Sequence, residues 1–221
     1  MSAEDHHEEE PHASARPRFS VEDAKARAQE ARAKAEFILS RAYGLLREPK
    51  KEWVQIRDEI TTIPNILIGY VAPLAAIPVV CDWIGSALFS RGLGGQIGDA
   101  LVRGVVTWVV TVALVGFLGV LINAIAANFD GDRDDLAAQK VAAYSLTPTF
   151  LSGVFSLWPP LWWLSLFALA AMVFLIYRGL PILMKAPEER AMAYTATVTI
   201  ATVVAGILLF ALASCVTSGG A

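Results

Sequence analysis

Between Val141 and Tyr177 the chain runs 37 residues without one Asp, Glu, Lys or Arg, interrupted in the middle by Trp158, Pro159 and Pro160. An apolar helix needs about 20 residues to cross the roughly 30 Å hydrocarbon core, and proline inside a helix removes a backbone donor. The stretch is therefore expected to form two segments folded back at the double proline, a membrane hairpin. Three more uncharged runs flank it: Ile60–Cys81, Gly104–Asn128 and Ala191–Ala221. The expected fold is an all-α membrane protein with five transmembrane helices and an N-terminal cytoplasmic amphipathic helix. Halves of about 17 residues leave open a hairpin that dips in and returns, but either way both of its ends emerge on one side.

Charge is segregated. Residues 1–60 hold 11 of the 18 Lys+Arg and 13 of the 21 Asp+Glu, so a charged arm precedes an apolar body. The formal net charge of −3 averages two unlike parts and points to no nucleic-acid or acidic partner. No apolar core with a cleavage site follows the His- and Glu-rich start, so no secretory signal peptide is expected and insertion should use the internal spans. Lys and Arg close to the spans set orientation. Arg47, Lys50, Lys51, Arg57, Arg133, Lys140, Arg178, Lys185 and Arg190 fall on one side, and Arg91 and Arg103 on the other. The expectation is a multi-pass membrane protein with its N-terminus cytoplasmic and its C-terminus outside.

Along the chain, residues 1–19 should form a disordered tail, 20–59 a cytoplasmic or interfacial helical arm, 60–215 the five-span body and 216–221 a short tail. Ser20 to Asp23 resembles a capping box opening a long helix. From there Val21, Ala24, Ala28, Ala31, Ala35, Ile38, Ala42 and Leu45 recur at steps of three and four. Alanine offers little area per site, which favours a helix docked on the membrane or on its own body over a free coiled coil. After Pro49, a second helix carrying Trp53 and Ile56 is expected at headgroup level, with Trp53 as an interfacial anchor whose N–H meets water. Pro64, Pro73 and Pro78 in the first span free carbonyls that neighbouring helices must satisfy. Asp82–Arg103 reads as a turn between two short amphipathic pieces.

In the second span Gly116 and Gly119 make a close-approach face, and Asn123 is expected to bond a neighbouring helix. Asp130 to Asp135 looks like a calcium loop but lacks the glutamate that closes an EF-hand, so a solvated cytoplasmic turn is expected. His6, His7 and His12 beside Glu8–Glu10 offer adventitious metal binding without a packed surrounding shell. No span carries a central ionisable side chain, which argues against a proton-coupled pump. No catalytic set, cofactor site or metal centre is expected. Cys81 and Cys215 fall at the outer ends of the first and last spans, so a disulfide and two ordinary buried thiols both remain open.

Three segments together resemble the Yip family of Rab-interacting membrane proteins, and within it the bacterial branch. They are Pro49-Lys50-Lys51-Glu52-Trp53-Val54-Gln55-Ile56, Ala142-Ala143-Tyr144-Ser145-Leu146-Thr147-Pro148, and Tyr177-Arg178-Gly179-Leu180-Pro181-Ile182-Leu183-Met184-Lys185 followed by Pro187 and Tyr194. The resemblance covers roughly residues 45–213 and implies five spans with a cytoplasmic N-terminus. The arm lacks the acidic-tyrosine-glycine-proline stretch associated with GTPase recruitment, so no Rab GTPase partner is expected. Read as residues, Tyr144, Ser145, Thr147 and Pro148 open a span whose hydroxyls take carbonyls freed by the proline, while Gly179 and Pro181 stop the next. The functional alternative places Tyr144, Thr147, Tyr177 and Tyr194 around a shallow cleft for a partner helix or lipid.

The function expected is a non-enzymatic membrane organiser or adaptor that binds a membrane-protein partner through its N-terminal helix, with homo-oligomerisation left open. The proline breaks and Asn123 motivate the alternative, a small transporter or channel.

Overall fold

Helical periodicity without strand-like alternation yields helices throughout residues 21–89 and 97–218, which the computed structural model describes. The expectations for Ser20, the histidines and the tip of the 82–103 loop lie outside those residues.

Helix α1 is Val21–Arg47 and α2 is Pro49–Asp58, with Pro49 at the first turn where its missing N–H costs nothing. Two compact units meet within α1, one reaching to Phe37 and one starting at Ile38. In the first, residues 22–37 are exposed, and Glu30 and Lys34 pair at 2.9 Å one turn apart. The alanines of the seam are thus exposed there. In the second, the seam changes character: Ala42 and Leu45 are buried, and so are Trp53 and Ile56 of α2.

Among the described residues, four helical stretches are long and apolar enough to cross a membrane: Asn65–Phe89, Ala100–Phe129, Pro160–Leu183 and Glu188–Leu208. The first opens as a π-helix, Asn65–Val71, in which the Ala72 N–H reaches back to the Leu67 carbonyl, and continues as α3, Ala72–Phe89. The wide turn ends beside Pro73, which cannot supply an N–H to the ladder. Trp108 Nε1 donates to the Ala72 carbonyl at 2.8 Å, so a neighbouring helix serves the proline-flanked backbone. Helix α4, Ile97–Ile125, runs on through a 3₁₀ turn to Phe129. Much of the expected outer turn is therefore helix, because α3 extends to Phe89 and α4 begins at Ile97.

The first half of the expected hairpin is not one helix. It is α5, Asp135–Ser145, then α6, Thr147–Ser152, then a 3₁₀ stretch, Gly153–Leu157. Asp134 caps α5 by accepting from the Ala137 N–H at 2.9 Å. At Pro148 the ladder loses a donor to the Tyr144 carbonyl, and the Thr147 hydroxyl donates to that oxygen at 2.7 Å. Trp158 is extended, and a second 3₁₀ run, Pro159–Leu164, leads into α7, Ser165–Leu183. Helix α7 passes through Pro181 and ends two residues later, so Gly179 and Pro181 do not stop it. Helix α8 is Glu188–Ser218.

The broken segment follows the first span along its length. Lys140 meets the chain just ahead of that span at Arg57 and Glu59. Tyr70 reaches Tyr144 and Thr147, with ring centroids 4.5 Å apart and a 2.8 Å hydroxyl–hydroxyl bond. Further on, a Cβ on Gly153 would fall on the Pro78 backbone, and one on Gly85 would overlap the Ser156 carbonyl. Only glycine permits these backbone approaches. After its first turn α5 is enclosed, with each residue from Ala138 to Ser145 buried.

Candidate functional site

The most concentrated polar chemistry lies where α1 and α2 meet α5. Arg41 faces α2 because it follows Ile38 and precedes Ala42 on the face that packs inward. Its guanidinium donates through Nη1 to Glu52 Oε1 at 2.8 Å and through Nη2 to Glu59 Oε2 at 2.6 Å. It also lies 5.8 Å from the centroid of the Tyr144 ring, within cation–π range. The three charged side chains keep only 10%, 13% and 27% of their exposure, so the pairing is shielded far more than a surface ion pair. Gly44 makes room for it, since a Cβ there would land on the Glu52 carboxylate.

Lys140 closes the arrangement from α5. Its ammonium donates to the carbonyls of Arg57 at 3.1 Å and Glu59 at 2.7 Å, supplying cationic donors where α2 ends. Burial lowers the Lys140 pKa from its ordinary value, opposed chiefly by the Glu59 charge. Counted in the sequence as a loop charge, Lys140 is instead 3% exposed. Beside it the Gln139 amide donates to the Val115 carbonyl at 3.1 Å, in space that Gly119 leaves open.

Trp53 completes the latch. Expected at the interface with its N–H in water, it is instead 0% exposed, and its Nε1 has no hydrogen-bond partner. The reason is Gly179 on α7: a Cβ there would come within 2.9 Å of the Trp53 ring, so the glycine opens a flat seat for the indole. Helix α2 is thus held by a ring against α7 and by charges to α1 and α5.

Tyr144, Thr147, Tyr177 and Tyr194 do not rim one cleft. Tyr144 and Thr147 are buried together against Tyr70. Tyr194 is also buried; it stacks on Phe129 at 4.8 Å and donates to the Ile122 carbonyl at 2.6 Å, tying α8 to α4. Tyr177 alone is partly exposed, on a small cavity at the end of α7. Asn123 Nδ2 donates to Asp135 Oδ1 at 2.5 Å, between α4 and α5. The Cys81 thiol is half-buried, and the Cys215 side chain lies outside the described residues.

The acidic loop after α4 is pinned to the loop after α7. Asp132 pairs with Lys185 and Asp130 with Arg190, each at 2.9 Å, and the Asp132 N–H donates to the Met184 carbonyl at 2.7 Å. The hydrogen bond to Asp132 raises the Lys185 pKa. Both Asp130 and Lys185 adopt left-handed backbone, at φ 56° and 51°. These carboxylates bind side chains of the same protein.

Arg41, Glu52, Glu59 and Gly179 were not foreseen as a joint. One signal was available in the sequence: Lys140 is the sole charged residue between Leu136 and Leu146, an isolation that suits a buried cation.

Four long apolar helices among the described residues define a multi-pass helical membrane protein. The chain matches the Yip1 domain over residues 43–211, beginning inside the latch and ending within α8. It is 31% identical over 186 residues to inner membrane protein YohC of Escherichia coli strain K12, covering 77% of this chain and 93% of that protein. The counterpart from E. coli O6:H1 strain CFT073 matches to the same extent. The chain therefore belongs to the Yip1 domain family. No solved structure matches it.

Proposed function

We propose that this protein is a non-enzymatic organiser or adaptor of the inner membrane, with the N-terminal part of α1 as its cytoplasmic contact element. The observation that carries the reading is the change within α1 at Ile38. Residues 22–37 are exposed, while the helix after them is fastened through Arg41, Leu45 and α2 to the body. A helix fastened along its second part, with residues 22–37 exposed, suits a contact element better than a catalytic one. The inner-membrane placement draws on the name of the E. coli relative.

The same reading has five crossings, a cytoplasmic N-terminus and an outer C-terminus. The fifth is the broken run 141–157, supported by its course beside the first span from Tyr70 to Gly85. Helical rises of about 1.5 Å, and about 2.0 Å in 3₁₀ turns, bring such a run close to the hydrocarbon thickness. Reporter tags at the two ends should report opposite compartments; both ends in one compartment would refute the odd count.

Deleting residues 1–37 should abolish co-purification of membrane-protein partners after crosslinking and leave the body inserted. Unchanged partners would remove the adaptor reading. Proteoliposomes of the full chain test the transporter alternative, and they are expected to stay sealed to ions and small solutes.

A further inference from the structure

A cavity of about 100 Å³ opens where α7 leaves and α8 enters the membrane. Lys50 from the start of α2, Tyr177 and Arg178 from α7, and Glu188 from the start of α8 line it, over an apolar floor of Pro181 and Ile182. Among the described residues no ion pair engages Lys50, Arg178 or Glu188. That sets them apart from neighbours such as Lys51, Lys185 and Arg190, each of which has a carboxylate within 2.9 Å. Arg178 rests 5.5 Å from the Phe174 ring, which lies one turn deeper and is 46% exposed on the lipid-facing surface of α7.

We propose that this cavity binds the headgroup of an aminophospholipid, a lipid carrying both a phosphodiester and a primary ammonium. Two cations and a phenol suit the phosphodiester, because charge-assisted donors bind phosphate oxygens strongly. Glu188 distinguishes the headgroup from a bare anion. It repels a phosphate standing alone, whereas a primary ammonium brings donors to its oxygens and leaves all three charges satisfied. A quaternary ammonium fills the same volume without an N–H, and a glycerol headgroup offers no cation. Phe174 continues the site downward as a surface for the first acyl carbons. The site is independent of whatever residues 22–37 of α1 contact.

The test is native mass spectrometry of the full chain in detergent with an equimolar mixture of phosphatidylethanolamine, phosphatidylcholine and phosphatidylglycerol of identical acyl chains. Phosphatidylethanolamine should be retained about tenfold over the other two, the worth of one charge-assisted hydrogen bond. Glu188→Gln should erase that preference while phosphate-dependent binding persists. Lys50→Ala combined with Arg178→Ala should weaken all three lipids about tenfold or more. Circular dichroism checks that each variant stays folded; all three positions are exposed. Equal retention of the three lipids by the wild type would overturn the proposal. So would a preference that survives Glu188→Gln, or displacement of the lipid by millimolar inorganic phosphate, which would mark a free-anion site.

Discussion

Replacing Arg41 with methionine isolates the cost of unlatching α2. The substitution removes two hydrogen bonds of 2.8 and 2.6 Å and leaves Glu52 and Glu59 facing each other with little access to water. Breaking a buried ion pair from one side costs about 3–5 kcal/mol, because the stranded charge keeps its desolvation penalty. Glu59, at 27% exposure, recovers part of its hydration, which favours the lower end, about 3 kcal/mol. That is roughly a hundredfold in the opening equilibrium. Lys50, Lys51 and Arg57 place trypsin sites in α2, so cleavage of reconstituted protein should accelerate by a similar factor when opening precedes cutting. Replacing all three partners, with Arg41→Met, Glu52→Leu and Glu59→Leu together, should return cleavage to within about tenfold of wild type, since an apolar set of similar volume removes the stranded charges. Cleavage of the single variant within twofold of wild type would refute the reasoning, as would a triple variant more open than the single.

The remaining predictions concern the same joint and its neighbours. Gly179→Val should destabilise by about 1–3 kcal/mol through overpacking on Trp53, and a Trp53→Phe partner change should recover part of the loss in thermal unfolding. The lowered Lys140 pKa means that the unfolded chain binds more protons between the depressed value and the ordinary 10.5. Stability should therefore rise with pH through that window, the burial cost being full below it, and a melting series from about pH 8 upward should lose this slope in Lys140→Met. Tyr194→Phe, which removes only the hydroxyl on the Ile122 carbonyl, should cost about 1 kcal/mol, whereas Tyr194→Ala should cost about 3–5 kcal/mol by also vacating the space against Phe129. Equal losses in the two variants would refute the division between bond and packing.

What could be read from the chain followed a local rule in every case. Uncharged runs of about 20 residues mark spans because desolvating a charge is costly wherever it falls in the run. Four stretches overlapping such runs emerged as long apolar helices, and Trp158 with the double proline does break the run from Val141 to Tyr177. The half from Val141 to Leu157 differed because the Thr147 hydroxyl is spent on the Tyr144 carbonyl and on Tyr70, which lets the helix break at Leu146 without stranding that carbonyl. Hydropathy registers neither substitution of one partner for another.

The latch was illegible for a different reason. Lys140 is joined to Arg57 and Glu59 across 83 and 81 positions, so nothing near any of these residues announces the pairing. Trp53 shows how the error arises. A tryptophan beside two lysines ahead of a span fits the interfacial rule well, and the rule fails only because Gly179, far along the chain, removes a side chain where the indole must sit. The family match begins at residue 43 and so includes α2, Trp53 and Lys140 but only the last five residues of α1. The matched region is therefore better described as the bundle together with its clamped α2 than as a set of spans with an arm attached. The exposed residues 22–37 lie outside that match, and so does Arg41, whose guanidinium joins α1 to Glu52 and Glu59 inside it.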